Sequence, residues 1–251
     1  MFVPLSDENP LRYIRWPVVT IGLIALNILV YLLEITPQGA HKAASFALIP
    51  SELFKVGIWG GPAYGPGDRL AVPEGLTLVS YMFLHGDSIH LAGNMLFLWV
   101  FGDNVEDAMG HLKFLVFFLV CGIVGALFHA VSAEYGMAAM LFKTQAKGID
   151  PGSIPLVGAS GAVAGVIAAY LLMHPRVRVW VLAFRFIPLN ITAALALGAW
   201  IATQFVMLLI PDTGPVAWWA HIGGIVAGAL LILVMRRPGV PLFDRGPVLP
   251  A

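Results

Sequence analysis

VAWWAHIGGIVAGALLILVM, residues Val216 to Met235, is an apolar run with a single ionisable side chain, His221. A helix rises about 1.5 Å per residue, so a run of this length reaches across the roughly 30 Å hydrocarbon core of a bilayer. Reading it as a membrane span decides the class of the chain, because five other stretches approach it. They are Trp16–Leu33, Asp87–Phe101, Phe114–Val131, Ile154–Met173 and Pro188–Ile210. Composition agrees: 59% of the 251 residues are hydrophobic and 11% are charged, too few charges to cover a soluble surface of this size. Net charge is zero, which gives no reason to expect nucleic acid as a partner. The single cysteine, Cys121, excludes an intramolecular disulfide. The first apolar run ends at Glu34 with no small-residue cleavage pattern, and reads as a retained span rather than a signal peptide.

The expected fold class is therefore all-α: a polytopic membrane protein with six transmembrane helices. Residues 16–235 form one membrane domain, between a short N-terminus, 1–15, and a short C-terminal tail, 236–251. A long loop from Ile35 to Gly86, rich in Gly and Pro near Gly60–Gly67, follows the first span, and a polar loop from Ser132 to Gly152 follows the third. Placing both termini on one side puts nine Lys and Arg there, from Arg12 and Arg15 to Arg236, Arg237 and Arg245. Five lie opposite, namely Lys42, Lys55, Arg69, Lys143 and Lys147. This bias makes the termini cytoplasmic, and the lack of a targeting extension points to a bacterial inner membrane. The lipid bilayer is the first partner.

Polar side chains in a span are costly and read as functional. His90 and Asn94 lie four apart, on one helix face, with His85 just before the turn at Gly86. Ser160 is expected six residues into the fourth helix and His221 five into the sixth. That puts Asn94, Ser160 and His221 on the order of 10 Å below the outer surface. Gly158, Gly161 and Gly165 surround Ser160, and Gly224 and Gly228 follow His221; small residues at such spacing let two transmembrane backbones approach closely. His221 can then take the proton while the Ser160 oxygen attacks a carbonyl. No carboxylate stands in the fourth or sixth span to orient the imidazole, so a dyad is expected rather than a triad. His90 and Asn94, with the Ser160 backbone N–H, are suited to stabilising an oxyanion.

Three segments resemble the rhomboid family of intramembrane serine proteases: Phe83 to Asn94 (FLHGDSIHLAGN), Gly158-Ala159-Ser160-Gly161, and Ala220-His221-Ile222-Gly223-Gly224 with Gly228 beyond. The resemblance implies a catalytic pair Ser160 and His221. It implies an oxyanion site from His90 and Asn94 with support from His85, and transmembrane proteins as substrates. The stretch Leu98 to Glu106 also resembles the family, with Glu106 in a structural role. Two departures stand out. Some members carry an aromatic residue four places after the serine, where this chain has Ala164. Some carry a Trp-Arg pair in the first loop, whereas Trp59 here is followed by Gly60.

Plainer readings apply elsewhere. A lone Ser in a membrane helix bonds its own backbone, and His90 with Asn94 could serve as interhelical glue. Asp87 reads as a helix N-cap, and Arg178 to Phe186 as a snorkelling interfacial segment. His129 reads as interfacial, and His41, His111 and His174 need no role. His85 and His90 lack a third ligand for a metal, so neither metal nor cofactor is expected. The rivals to a protease are a catalytically inactive relative that binds membrane clients, and a transporter. The latter lacks the internal repeat or midplane charges that would mark it.

Overall fold

Each of the six apolar stretches holds a helix. The computed structural model describes residues 2–63, 70–135, 150–183, 186–210 and 216–244. Helix α1 is Val18–Glu34. The first loop holds three short helices, α2 Pro37–Ala43, α3 Pro50–Val56 and α4 Glu74–Ser80. Helix α5 is Ser88–Met109, eight residues longer at its end than expected. It starts at Asp87, whose side chain accepts from the backbone N–H groups of Ile89 and His90, the N-cap expected of it. Gly110, at φ +85°, ends α5 in a left-handed conformation, and α6, His111–Glu134, follows at once. Helices α7 Ser160–Met173, α8 Ala193–Leu208 and α9 Trp218–Met235 complete the set. Of these, α6 and α9 are long and apolar enough to cross a membrane unaided; a third span results if α1 is joined to the sharply bent segment after it. Helices α7 and α8 are apolar but shorter.

Two expectations are corrected. The fourth stretch is helical only from Ser160, because Ile154–Ala159 runs in as a loop tied to other elements. Leu156 bridges to Leu48, and the Gly158 N–H donates to the Tyr81 carbonyl at 2.9 Å. The chain is also not all-α. Strands β1 Phe2–Asp7, β2 Arg178–Ala183 and β3 Ile187–Thr192 form an antiparallel sheet in the order β1-β2-β3. Of the segment expected to snorkel, Arg178–Ala183 is thus a strand, while residues 184–185 lie outside the described residues. Val179 and Val181 are buried while Arg178 and Trp180 are exposed, the period-2 pattern of a half-buried strand. The fifth helix accordingly begins at Ala193, five residues after Pro188. Of the charges in the topology count, Arg69, Lys143, Lys147, Arg185 and Arg245 lie outside the described residues, as does the side chain of His41.

The sheet end of the molecule is fastened by two carboxylates at the end of α5. Glu106, fully buried, accepts from the N–H groups of Val19 and Thr20 at 3.0 and 2.8 Å and from the Thr20 hydroxyl at 2.7 Å. It thereby serves the first-turn donors that α1 cannot satisfy itself. Asp107 accepts from the N–H groups of Arg12, Tyr13 and Ile14 at 2.7–2.8 Å. The C-terminal segment joins the same end: Arg12 pairs with Asp244 at 3.5 Å, and the Arg237 N–H donates to the Ala108 carbonyl. The segments around Arg12 and Arg237–Asp244 are therefore held together at the end of α5.

Helix α7 sits at the centre, packed against α5, α6, α8 and α9. Every residue from Gly161 to Tyr170 is buried, as befits a helix apolar on all faces. Lipid tails are as apolar as Leu, so association here depends on close backbone contact. A Cβ at Gly224 would fall inside the contact shell of the Gly161 carbonyl, and one at Gly228 inside that of Gly165. On the α6 side, a Cβ at Gly125 would come within 2.7 Å of the Ala220 carbonyl oxygen.

Candidate active site

Ser160 is the first residue of α7, and His221 lies one turn inside α9. The glycine contacts between these helices bring the His221 Nε2 to 2.8 Å from the Ser160 Oγ. Ser160 is half-buried and His221 is buried. Starting the helix at Ser160 has a second effect. The first N–H groups of a helix have no acceptor within it, so the backbone N–H of Ser160 is available to a ligand, which it would not be six residues in. Helix α7, at about 1.5 Å per residue, is roughly 21 Å long, short of a 30 Å core by about 9 Å.

The other polar residues gather around the start of α7. Asn94 is buried, and its Nδ2 lies 3.1 Å from the Nε2 of buried His85. The His85 and His90 rings meet edge to face at 5.1 Å. Gly158 is required here twice over. Its φ is +115°, and a Cβ would come within 2.5 Å of His90 Cε1 and 2.7 Å of Nε2. The glycine thus lets the His90 ring lie directly against the loop that leads into Ser160. Glu34 accepts from the backbone N–H of His85 at 3.1 Å.

The His221 ring is held without an aromatic residue at position 164, where Ala164 is fully buried. Its neighbours are Trp200 of α8 and Trp218 of α9, with centroids at 6.0 and 5.9 Å. Its other nitrogen, Nδ1, lies 2.7 Å from the Oε1 of Gln204, a buried residue of α8. Reading the sequence for a carboxylate in the fourth and sixth spans passes over this amide in the fifth. Its signal is present nonetheless: a large polar side chain in an apolar helix needs a partner. Of the remaining histidines, His111 contacts Glu106 at 2.5 Å and His174 stacks edge-on against Tyr170, both away from Ser160. Among the described residues, no group of three or more His, Cys, Asp or Glu could hold a metal ion.

A neutral imidazole within hydrogen-bond reach of a hydroxyl, beside free N–H donors, can deprotonate that hydroxyl and steady an oxyanion. The family model described as Rhomboid domain matches residues 73–238, from just before α4 through α9. The chain is 31% identical over 171 residues to the rhomboid protease AarA of Providencia stuartii, covering 67% of this chain and 56% of that protein. It is 28% identical over 185 residues to the rhomboid protease GluP of Bacillus subtilis strain 168, covering 73% and 31%. It is 28% identical over 162 residues to RHOMBOID-like protein 12, mitochondrial, of Arabidopsis thaliana, covering 64% and 46%. The chain spans about half the length of these relatives, or less. They include bacterial and mitochondrial proteins, some named proteases and some only rhomboid-like.

Proposed function

Because the chain belongs to the rhomboid family, whose fold is a membrane one, we propose that it is an intramembrane serine endopeptidase with six membrane-embedded helices, α1 and α5 to α9. The observation that carries this reading is the 2.8 Å approach of Ser160 Oγ and His221 Nε2 from two different helices. Ser160 attacks the scissile carbonyl and His221 takes its proton, later passing it to the leaving amine. The developing oxyanion is stabilised by the Ser160 N–H, His90 and Asn94, with His85 positioning Asn94 through their 3.1 Å contact. The substrate is a transmembrane segment of another protein. A helix hides its carbonyls in hydrogen bonds, so the segment unwinds before attack, which Gly or Pro near the scissile bond makes easier. Both termini face the cytoplasm of a bacterial inner membrane in this reading, supported by the Lys and Arg bias and by the Arg12–Asp244 pairing of the two ends.

The test compares wild type with Ser160→Ala in detergent, using a model transmembrane substrate and a fluorophosphonate probe. Wild type is expected to cleave and to label, and Ser160→Ala to do neither. Cleavage by Ser160→Ala at the wild-type rate would refute the assignment.

A further inference from the structure

Two bonds made by one amide determine which nitrogen of the His221 ring carries the proton. The Nε2 of Gln204 donates to the Trp200 carbonyl of its own helix at 2.9 Å. A carbonyl oxygen only accepts, so this bond fixes the amide with its NH₂ toward Trp200 and its oxygen toward His221. The oxygen Oε1, 2.7 Å from the imidazole Nδ1, then has no proton to offer and must accept one. A neutral imidazole carries one N–H, and with that proton on Nδ1 the lone pair is on Nε2. That lone pair faces the Ser160 hydroxyl at 2.8 Å. The opposite tautomer would set two acceptors, Oε1 and Nδ1, against each other in a buried site, which is costly. It would also present an N–H, not a base, to the serine.

We infer that Gln204 is a positioning residue for proton transfer: it holds His221 in the tautomer that can accept the Ser160 proton, in the place where a triad uses a carboxylate. The inference rests on the Ser160–His221 reading above and adds a third member, on α8, that touches the base but not the reacting atoms. An amide differs from a carboxylate in one respect. When Ser160 gives up its proton the ring becomes cationic, and Gln204 meets that charge with a dipole rather than an anion. Among the described residues, the titratable groups acting on His221 from neighbouring helices are His90 on α5 and His129 on α6. Both are imidazoles and neither supplies negative charge. Among the described residues no carboxylate acts on His221, so the site runs with orientation but without a counter-ion from them, and adding one at position 204 has a readable consequence.

The test uses full-length protein in detergent micelles, with fluorophosphonate labelling and transmembrane-substrate cleavage measured across pH, and melting alongside. Gln204→Leu keeps much of the volume and removes the acceptor. It is expected to lower kcat and the labelling rate by about tenfold or more, with KM unchanged, since a hydrogen bond to the ring is lost and the wrong tautomer competes. Gln204→Glu restores an acceptor and adds an anion that stabilises the imidazolium, so it is expected to recover activity at high pH and to move the acid limb of the rate profile to higher pH. A residue that merely packed would not move that limb. Wild-type kcat in Gln204→Leu, or an unmoved acid limb in Gln204→Glu, overturns the inference. If Gln204→Leu does not fold, the acid limb of Gln204→Glu alone decides. Wild-type protein that neither labels nor cleaves would overturn the underlying protease reading instead.

Discussion

Replacing Gly224 by Ala adds one methyl group at the tightest contact between α7 and α9. Its Cβ would fall inside the contact shell of the Gly161 carbonyl oxygen, 2.8 Å from the Gly161 carbonyl carbon and 3.4 Å from its Cα. All three atoms are backbone, so no side chain can swing aside, and the helices must part by on the order of 1 Å to restore ordinary contact. The gap opens at the site itself, because Gly161 follows Ser160 and Gly224 lies one turn beyond His221. A 2.8 Å Ser–His bond lengthened by that amount passes out of hydrogen-bond reach. A misplacement of about 1 Å costs roughly a hundredfold in rate, and overpacking of this kind costs about 1–3 kcal/mol of stability. The assay is the second-order rate of fluorophosphonate labelling beside thermal melting, with Gly198→Ala as the control. A Cβ at Gly198 meets nothing within 4 Å, so that variant should label and melt like wild type. Wild-type labelling and melting in Gly224→Ala would refute the argument that backbone contact between α7 and α9 sets the Ser160–His221 distance.

Asn94→Ala removes one oxyanion donor and is expected to slow cleavage by roughly a hundred- to a thousand-fold. His90→Ala with Asn94→Ala should be slower than either alone at unchanged melting temperature; a double variant as fast as wild type would place the oxyanion elsewhere. At the sheet end, burial pushes the Asp7 carboxyl up from 3.8 to about 7, against the lowering effect of the bond it accepts from the Tyr170 hydroxyl. The folded state thus favours the protonated acid, and this contribution, full below about pH 4, is lost as pH rises through about 7. Asp7→Asn keeps that side chain neutral and should flatten the melting temperature between pH 4 and 7. Equal slopes in the two proteins would remove Asp7 from the account.

How much was legible follows from what each element depends on. A membrane helix announces itself by a long apolar run, and all six runs hold helices. The errors fall where an element's end depends on distant partners. Ile154 to Gly158 is apolar enough to extend the fourth helix, but its backbone groups are taken by Leu48 and Tyr81, and a chain bonded sideways cannot also close helical turns. The sheet was hidden for a related reason. Val179 and Val181 alternate with Arg178 and Trp180 over only a few residues, and β1 pairs with β2 from more than 170 positions away. A run that short reads equally well as an interfacial segment until its partner strands are known.

The candidate site residues are conspicuous because a bilayer sets polar side chains apart, so Ser160, His221, His90 and Asn94 stand out from apolar surroundings. Gln204 is equally conspicuous in α8, but an amide is not the group a triad leads one to expect beside the base. An imidazole base needs an acceptor at its second nitrogen, and the expected acceptor was an anion. Burial changes that requirement. An unpaired carboxylate is expensive to desolvate, whereas an amide supplies a carbonyl oxygen at lower cost, provided something prevents it from turning its NH₂ to the ring. That something is the Trp200 carbonyl, one helical turn back on α8 and 2.9 Å from the Gln204 Nε2. The same indole that approaches the ring at 6.0 Å belongs to this residue, so Trp200 helps hold the base with its side chain and orients the base's partner with its backbone. A Trp four residues before a Gln in an apolar helix is a pattern a sequence can display. What it means becomes readable only once α8 is packed against the base on α9.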